Sequence, residues 1–423
     1  MRSLRTSLLL MGSLLFVFGA CSNSDPESTL TPEITGADIT EYITYLASDS
    51  LKGREAGTAD EAVAGNYIAD LFRDFGLEPA GDDNTYLQEF TINTAKLNNP
   101  HATDESEGEK RIAKNVVGLL QGTGTSDEFI IIGAHYDHLG MGSFGSLYSG
   151  DPRIHNGADD NASGTAGLLE LAHYFSKNRP ETDILFLAFS GEEMGLLGSA
   201  HYVEEPTVDL DNALAMINMD MIGRLKEKLI IFGIGTADDW ETIVTDANTD
   251  SLTIDLVPDG TGASDHTSFY YKNIPVLHYF TDTHADYHRP SDDVQYINAD
   301  GEAEVLNHLV RVVNTLDTMD KDQLVFVEAP GEQQESMRLE GPTLGVLPDY
   351  GFDGKGMKIT GTSSGGPAAN AGLQGGDVIV GIGDMDLKDI YDYMGALNKL
   401  KKGQKTTITI VRDGKEMTMD LQL

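Results

Sequence analysis

The sequence predicts an α/β fold with a mostly parallel mixed sheet flanked by helices, followed by a small, mainly β module. Three observations carry this. Between residues 34 and 322, short apolar runs that read as strands alternate with stretches of helical spacing. Runs such as FIIIGA (129–134) and ILFLAF (184–189) are apolar without a break, as in strands covered on both faces. Beyond about residue 340 the text changes to short strands and glycines. The charge changes with it: residues 331–423 hold 13 acidic and 10 basic side chains, although the whole chain carries −39.

The elements follow in order. Residues 37–49 and 58–75 have helical spacing, with Ile68, Leu71, Phe72 and Phe75 on one face. YLQEFTI (86–92) and NVVGLL (115–120) read as strands, as does FIIIGA. NASGTAGLLELAHYF (161–175) reads as a helix, ILFLAF as a strand and GLLGSAHYV (195–203) as a short helix. ALAMINM (213–219), LIIFGIG (229–235) and IPVLHYF (274–280) read as strands, and a helix over 301–316 closes the domain. Residues 323–340 form a polar linker, and 341–423 the second domain, with one helix around 388–400.

The chain has 423 residues, enough for roughly two or three domains. At 40% apolar and 23% charged it has the composition of a soluble globular protein. The charge of −39 argues against a nucleic-acid partner, which needs basic patches. At the N-terminus, Arg2 and Arg5 precede the apolar run 8–19, and Ala20 and Cys21 follow. This reads as a secretory signal over residues 1–20, short of the roughly 18 apolar residues of a spanning helix. FGAC resembles the lipobox of bacterial lipoproteins. That resemblance implies lipidation of Cys21, a flexible tether over 21–33, and a lipid-anchored protein of the bacterial envelope, on the periplasmic or outer-membrane surface. The lipid would be its only membrane contact. Cys21 is the only cysteine, so the chain has no internal disulfide and no thiolate metal ligand.

Acidic and imidazole residues recur where predicted strands end. GAHYDHLG (133–140) follows FIIIGA, SGEEMG follows ILFLAF, NMDMIG (218–223) ends ALAMINM, and DYHRPSDD (286–293) follows IPVLHYF; NGADDNASG (156–164) opens a helix. The C-terminal edge of a parallel sheet is where ligands bind, so these distant segments converge on one rim. Carboxylates crowded there need compensation, and divalent metal supplies it. Histidine and carboxylate ligands without cysteine suit zinc, with manganese or cobalt as alternatives. Two ions ~3.5–4 Å apart would share a bridging carboxylate and need a separate base for a hydrolytic water.

Singly, an H-x-D or a Glu–Glu pair is a common feature of solvated loops, and Asp159 or Asp160 could simply cap a helix. Together, AHYDHLG, GADDNASG, FSGEEMG, NMDMIG and YHRPSDD resemble the M28 family of zinc metallopeptidases, over roughly residues 35–320. The resemblance implies the zinc exopeptidase fold (phosphorylase/hydrolase-like) and two Zn2+ ions. It assigns His135 and Asp220 to one metal, Glu193 and His288 to the other, and Asp160 to both. It implies that Asp137 orients His135, that Glu192 is the general base, and that Tyr287 hydrogen-bonds the tetrahedral intermediate. Asp159 is expected to do structural work. His138, His155 and His266 are expected to line the site or to support its ligands without being ligands themselves, and the SDH segment (264–266) to lie near the substrate.

TLGV (343–346), GGPAANAGLQGGDVIVGIGD (365–384) and TTITIVRDGK (406–415) resemble a PDZ domain. The resemblance implies binding of an extended peptide or protein ligand beside Leu344, Gly345 and Val346, with Tyr391, Met394 and Leu397 lining the groove. The expected activity is removal of N-terminal residues from peptides. The alternatives are a carboxypeptidase or other amidohydrolase on the same fold, or a non-catalytic peptide-binding protein. The single tryptophan, Trp240, speaks against a glutaminyl cyclase, which the resemblance would give a tryptophan-lined pocket.

Overall fold

The computed structural model describes residues 31, 33–94, 108–142, 145–148, 150–329, 344–348, 354–362, 366–388, 392–393, 396–397, 399–401, 403–412 and 414–423. Cys21 and the signal segment lie outside these, as do Tyr391 and Met394. No helix among the described residues is long and apolar enough to cross a membrane.

The first domain is built on strands β1 (Glu78–Pro79), β2 (Leu87–Asn93), β3 (Lys110–Leu120), β4 (Phe129–His135), β5 (Asp183–Phe189), β6 (Ala213–Met219), β7 (Leu229–Phe232), β8 (Ile254–Val257) and β9 (Val276–Phe280). Their order is β1-β3-β5-β4-β6-β9-β7-β8, with β2 paired to β3. The central pairs β5/β4, β4/β6 and β6/β9 are parallel, while β3/β5 and β7/β9 are antiparallel, so the sheet is mixed but parallel at its centre. Continuous apolar runs explain that centre. Phe129 and Ile131 face a cluster with Leu185, Leu187, Tyr202 and Phe269; Ile130 and Ile132, on the other face, are also fully buried.

β4 lies between β5 and β6 although it precedes both in the chain. The chain therefore leaves β4 to one side and later returns to the other, which opens a crevice at the C-terminal end of β4. Register levels the exits. His135 pairs with Phe189, and Gly133 pairs with Asn218, which puts Asp220 level with His135.

Helix boundaries follow local chemistry. The helix Ala59–Phe75 starts at Thr58, whose side chain accepts from the Glu61 N–H. It ends at Gly76, whose φ of 81° lets Leu77 N–H reach the Phe72 carbonyl. The helix predicted from residue 37 spans Gly36–Leu46, and a short turn follows at Asp49–Leu51. The one predicted over 161–175 instead spans Gly164–Lys177. Asp160 and Asn161 have non-helical backbone, and the turn Ala158–Ser163 precedes the helix. The strand predicted to 235 stops at Phe232, because Gly233 turns left-handed (φ 87°). The helix expected over 195–203 spans Leu197–Glu204, after a left-handed Leu196.

The second domain is an antiparallel sheet of β10 (Val346–Pro348), β11 (Met357–Thr362), β12 (Val378–Ile382), β13 (Met385–Asp386), β14 (Lys405–Arg412) and β15 (Lys415–Gln422). Leu344, Ile359, Ile379, Ile408, Ile410 and Leu421 fill its core. Under that core, buried Asp377 takes Nε and a terminal N–H of Arg412, both at 2.6 Å, and the Gln374 N–H at 2.9 Å.

These bonds outweigh burial and hold the Asp377 carboxyl below its usual range. Its stabilisation is therefore complete above about pH 4 and is lost as pH falls through the depressed value. Asp377→Asn in the full chain is expected to cost about 2–4 kcal/mol locally. Amide-exchange protection in β12 and β14 should fall accordingly, and the difference from wild type should shrink progressively as pH falls below about 4 and through the depressed value.

Candidate metal centre

The segments after β4, β5, β6 and β9 meet at the crevice. His135 is the last residue of β4, Asp220 follows β6 directly, and the Glu192–Glu193 pair sits three and four residues beyond β5. His135 Nε2 lies 3.5 Å from Asp160 Oδ1 and 3.4 Å from Asp220 Oδ1. On the other side of Asp160, His288 Nε2 lies 3.1 Å from Asp160 Oδ2 and 3.1 Å from Glu193 Oε2. Asp160 thus turns one carboxylate oxygen to each group. Ligands about 2.0–2.1 Å from a tetrahedral ion are about 3.3 Å apart, close to these separations.

The donor set fits two ions on independent grounds. His135 Nε2 and Asp220 Oδ1 are buried and have no hydrogen-bond partner among the described residues. Buried polar atoms are rarely left so unless something else satisfies them. The other nitrogen of His288 donates to the Gly145 carbonyl (2.8 Å), which fixes the tautomer with Nε2 facing Asp160. His288 itself is left-handed (φ 53°), a strained backbone held by that bond and by Leu147 N–H donating to its carbonyl.

Several supports were not legible in the sequence. The carboxylate of Asp292 accepts the backbone N–H of both Asp159 and Asp160, at 3.0 and 3.1 Å. Arg224 in turn holds Asp292 (2.7 Å) and Asp286 (2.8 Å). Ser264 donates to Asp220 Oδ2 (2.8 Å) and accepts from Asn218 (2.9 Å), so the SDH segment orients Asp220. Arg54 is fully buried and, among the described residues, donates to main-chain carbonyls, those of Leu46, Tyr136, Asn156 and Gly157. It ties the exit of β4 to the loop carrying Asp160.

Other predicted residues fall as follows. Asp159 is structural: it accepts from Gly223 N–H (2.8 Å), Ser163 and His284. Asp137 stands on the Nδ1 side of His135, but its Oδ1 is 3.7 Å from that nitrogen and instead accepts the Glu192 N–H at 3.1 Å. Glu192 Oε2 lies 3.9 Å from His135 Nε2, outside both ligand groups. The Tyr287 ring stacks on that of His288, with centroids 3.9 Å apart. His155 bonds Ser146 and the Arg153 carbonyl, and His266 stacks on His278 at 4.3 Å. His138, expected to line the site or to hold a ligand without being one, meets Glu193 directly, with Nδ1 2.6 Å from Oε1. A second imidazole three residues from a site histidine is a weak signal alone, and only the folded chain brings it to Glu193.

Electrostatics follow from the crowding. Burial, with Glu193 beside it, pushes the Asp160 carboxyl up to about 7. Burial raises Glu192 as well, reinforced by Glu193 and Asp220 against the opposing pull of His135. Burial would also raise Glu193, but His288 and His138 outweigh it and hold that group well below its usual range. Zinc binding should therefore stabilise the fold. At an ion concentration 100-fold above Kd the gain is about 2.7 kcal/mol per site, read as a higher unfolding temperature that chelator reverses. Asp160→Asn, which neutralises the carboxylate common to both groups, should abolish most of this zinc-dependent shift.

Residues 115–313 match the family model described as Peptidase family M28, and residues 335–423 match the PDZ domain. A probable zinc metalloprotease of Pyrenophora tritici-repentis is 35% identical over 153 residues, which are 31% of this chain and 34% of that protein. The aminopeptidase YwaD of Bacillus subtilis is 28% identical over 202 residues, 44% of this chain and 41% of the relative. The chain thus spans between a third and two fifths of these relatives' length. In fold it is similar to BSAP, a zinc aminopeptidase from Bacillus subtilis: TM-score 0.54 at 18% identity, over 70% of this chain and 99% of that one. Motifs, topology and matches agree on two regions: residues 115–313 are similar to Peptidase family M28, and residues 335–423 to a PDZ domain.

Proposed function

We propose that the protein is a two-zinc exopeptidase that removes N-terminal residues from peptides. The observation that carries this reading is two buried donor groups that share Asp160, one of His135, Asp160 and Asp220, the other of Asp160 and Glu193 with both His138 and His288 against them, and Glu192 outside both. His135, Asp160 and Asp220 would hold one ion, and Asp160, Glu193 and His288 the other. Once bound, the ions would acidify a water and polarise the scissile carbonyl. The Glu192 carboxylate would accept a proton from the attacking water and pass it to the leaving amine, so that the same group acts first as base and then as acid. Burial suits it to that exchange, because it brings a carboxyl closer to neutral pH. The Asp137 carboxylate holds the Glu192 main chain, keeping that group beside His135. Tyr287, stacked on His288, would donate to the oxyanion that develops as the carbonyl is attacked. The aminopeptidase named among the relatives supports N-terminal cleavage over carboxypeptidase action.

In the second domain β10 ends the strand order among the described residues, which suits an extended peptide added beside it. Gly345, at φ 68°, makes the turn into β10, and the Leu344 carbonyl is tied to Ala368 N–H (2.9 Å). Residues 344–346 would thus form the receiving edge. Lipidation at Cys21 would hold both domains at the bacterial envelope. Labelling of the wild-type chain by a fatty-acid probe, lost in Cys21→Ser, tests that anchor.

The activity is tested with aminoacyl-anilides beside their N-acetylated forms. Cleavage of free-amine substrates alone, abolished by chelator and restored by zinc, is expected; cleavage of blocked substrates, or none by zinc-loaded protein, would contradict it. Glu192→Gln should keep its zinc content and lose about 10²–10⁴-fold in kcat. A variant within a few-fold of wild type would remove Glu192 from the chemistry.

A further inference from the structure

We propose that His138 is a positioning residue for the second metal site: its Nδ1–H holds Oε1 of Glu193, so that Glu193 presents Oε2 alone to the ion shared with Asp160 and His288. The proposal rests on the two-ion reading above and adds to it a residue outside both ligand groups as assigned there.

Distances separate a donor from a ligand. His138 Nδ1 is 2.6 Å from Glu193 Oε1, a hydrogen-bond length. Two atoms bound to one tetrahedral ion are about 3.3 Å apart, as His288 Nε2 and Glu193 Oε2 nearly are at 3.1 Å. His138 Nδ1 is also 4.0 Å from Asp160 Oδ2, farther than His288 Nε2 at 3.1 Å. A carboxylate only accepts, so the 2.6 Å contact requires the proton on His138 Nδ1. The two oxygens of Glu193 are therefore divided: Oε1 to His138, Oε2 to the side where His288 and Asp160 meet.

The fold makes room for this ring. Gly157 precedes the Asp160 turn at φ 56°, and a Cβ there would stand 2.5 Å from His138 Cγ and Cδ2. The ring thus packs directly over the backbone of the loop that carries Asp160. Its main chain is pinned as well, with His138 N–H donating to the Arg54 carbonyl (3.1 Å). The ring meets that of His288 edge to face, at 5.9 Å and 72°. A side chain buried to this degree, against both the bridging loop and the second histidine, limits where Glu193 can swing. Without the donor, Glu193 would be free to turn both oxygens toward the ion or away from it.

The test compares His138→Asn with His138→Leu in the full chain. They are similar in size, and only asparagine keeps an N–H near the position of Nδ1. Zinc affinity is measured by competition with a chromophoric chelator, and cobalt is followed by its visible d–d absorption. The wild type is expected to load two ions. The leucine variant should bind one of them 10–100-fold more weakly and the other unchanged, and the asparagine variant should stay within a few-fold of wild type. Equal weakening in both variants, with a changed cobalt spectrum in each, would make His138 a direct ligand and overturn the proposal. Wild-type affinity in the leucine variant would leave His138 no part in metal binding. A wild type that loads fewer than two ions would overturn the two-ion reading itself. Should the leucine variant fail to fold, loss of the second ion from the asparagine variant would still contradict the proposal.

Discussion

The structure turns on the concentration of acid at one buried place. Asp137, Asp160, Glu192, Glu193, Asp220 and Asp265 all stand at or near the C-terminal ends of β4, β5 and β6, and each is buried or nearly so. Carboxylates withdrawn from water are costly unless charge and hydrogen bonds return what solvation gave. A permanent cation that feels their field is Arg54, and among the described residues its hydrogen bonds go to main-chain carbonyls. Burial lowers its guanidinium to about 10, so it stays charged at neutral pH. It offsets part of the field without occupying any ligand oxygen. The remainder suits divalent cations, and the candidate sites for them are the places where buried histidines and carboxylates meet Asp160.

The sheet supplies the address and the loops supply the aim. The switch in strand order around β4 opens the crevice, and parallel register levels His135 with Asp220. Fine placement then costs backbone strain. His288 and Met221, beside Asp220, are both left-handed non-glycine residues (φ 53° and 52°). Such conformations survive only where surrounding bonds over-determine them. Here those bonds are the Gly145 and Leu147 contacts of His288, and the Met221 carbonyl held by Thr281 N–H and Oγ1. The Arg224–Asp292 pair does the same for the turn that carries Asp160.

The legible parts of this design are those written in local pattern. FIIIGA and ILFLAF announce a doubly covered sheet because burial on both faces removes every polar residue from the run. The polar residues that end each run mark the rim. Helix starts were less legible: NASGTAG has helical composition, but the main chain at Asp160 and Asn161 follows the demands of the site. Least legible were the residues that hold others. Arg54 sits in LKGREAGT, which reads as a loop, yet it reaches carbonyls 82 to 103 residues away. His138 and Glu193 are 55 residues apart, and Ser264 and Asp220 are 44 apart. No periodicity encodes such contacts; they exist only once the strands are in register.

The account's central claim is a pair of ions that share Asp160. Diffraction from crystals grown with zinc, recorded on both sides of its absorption edge, tests it most directly. The account predicts two anomalous peaks ~3.5–4 Å apart. One would lie among His135, Asp160 and Asp220, and the other among Asp160, Glu193 and His288, with Glu192 bound to neither. A single peak, or two that do not share Asp160, would contradict it.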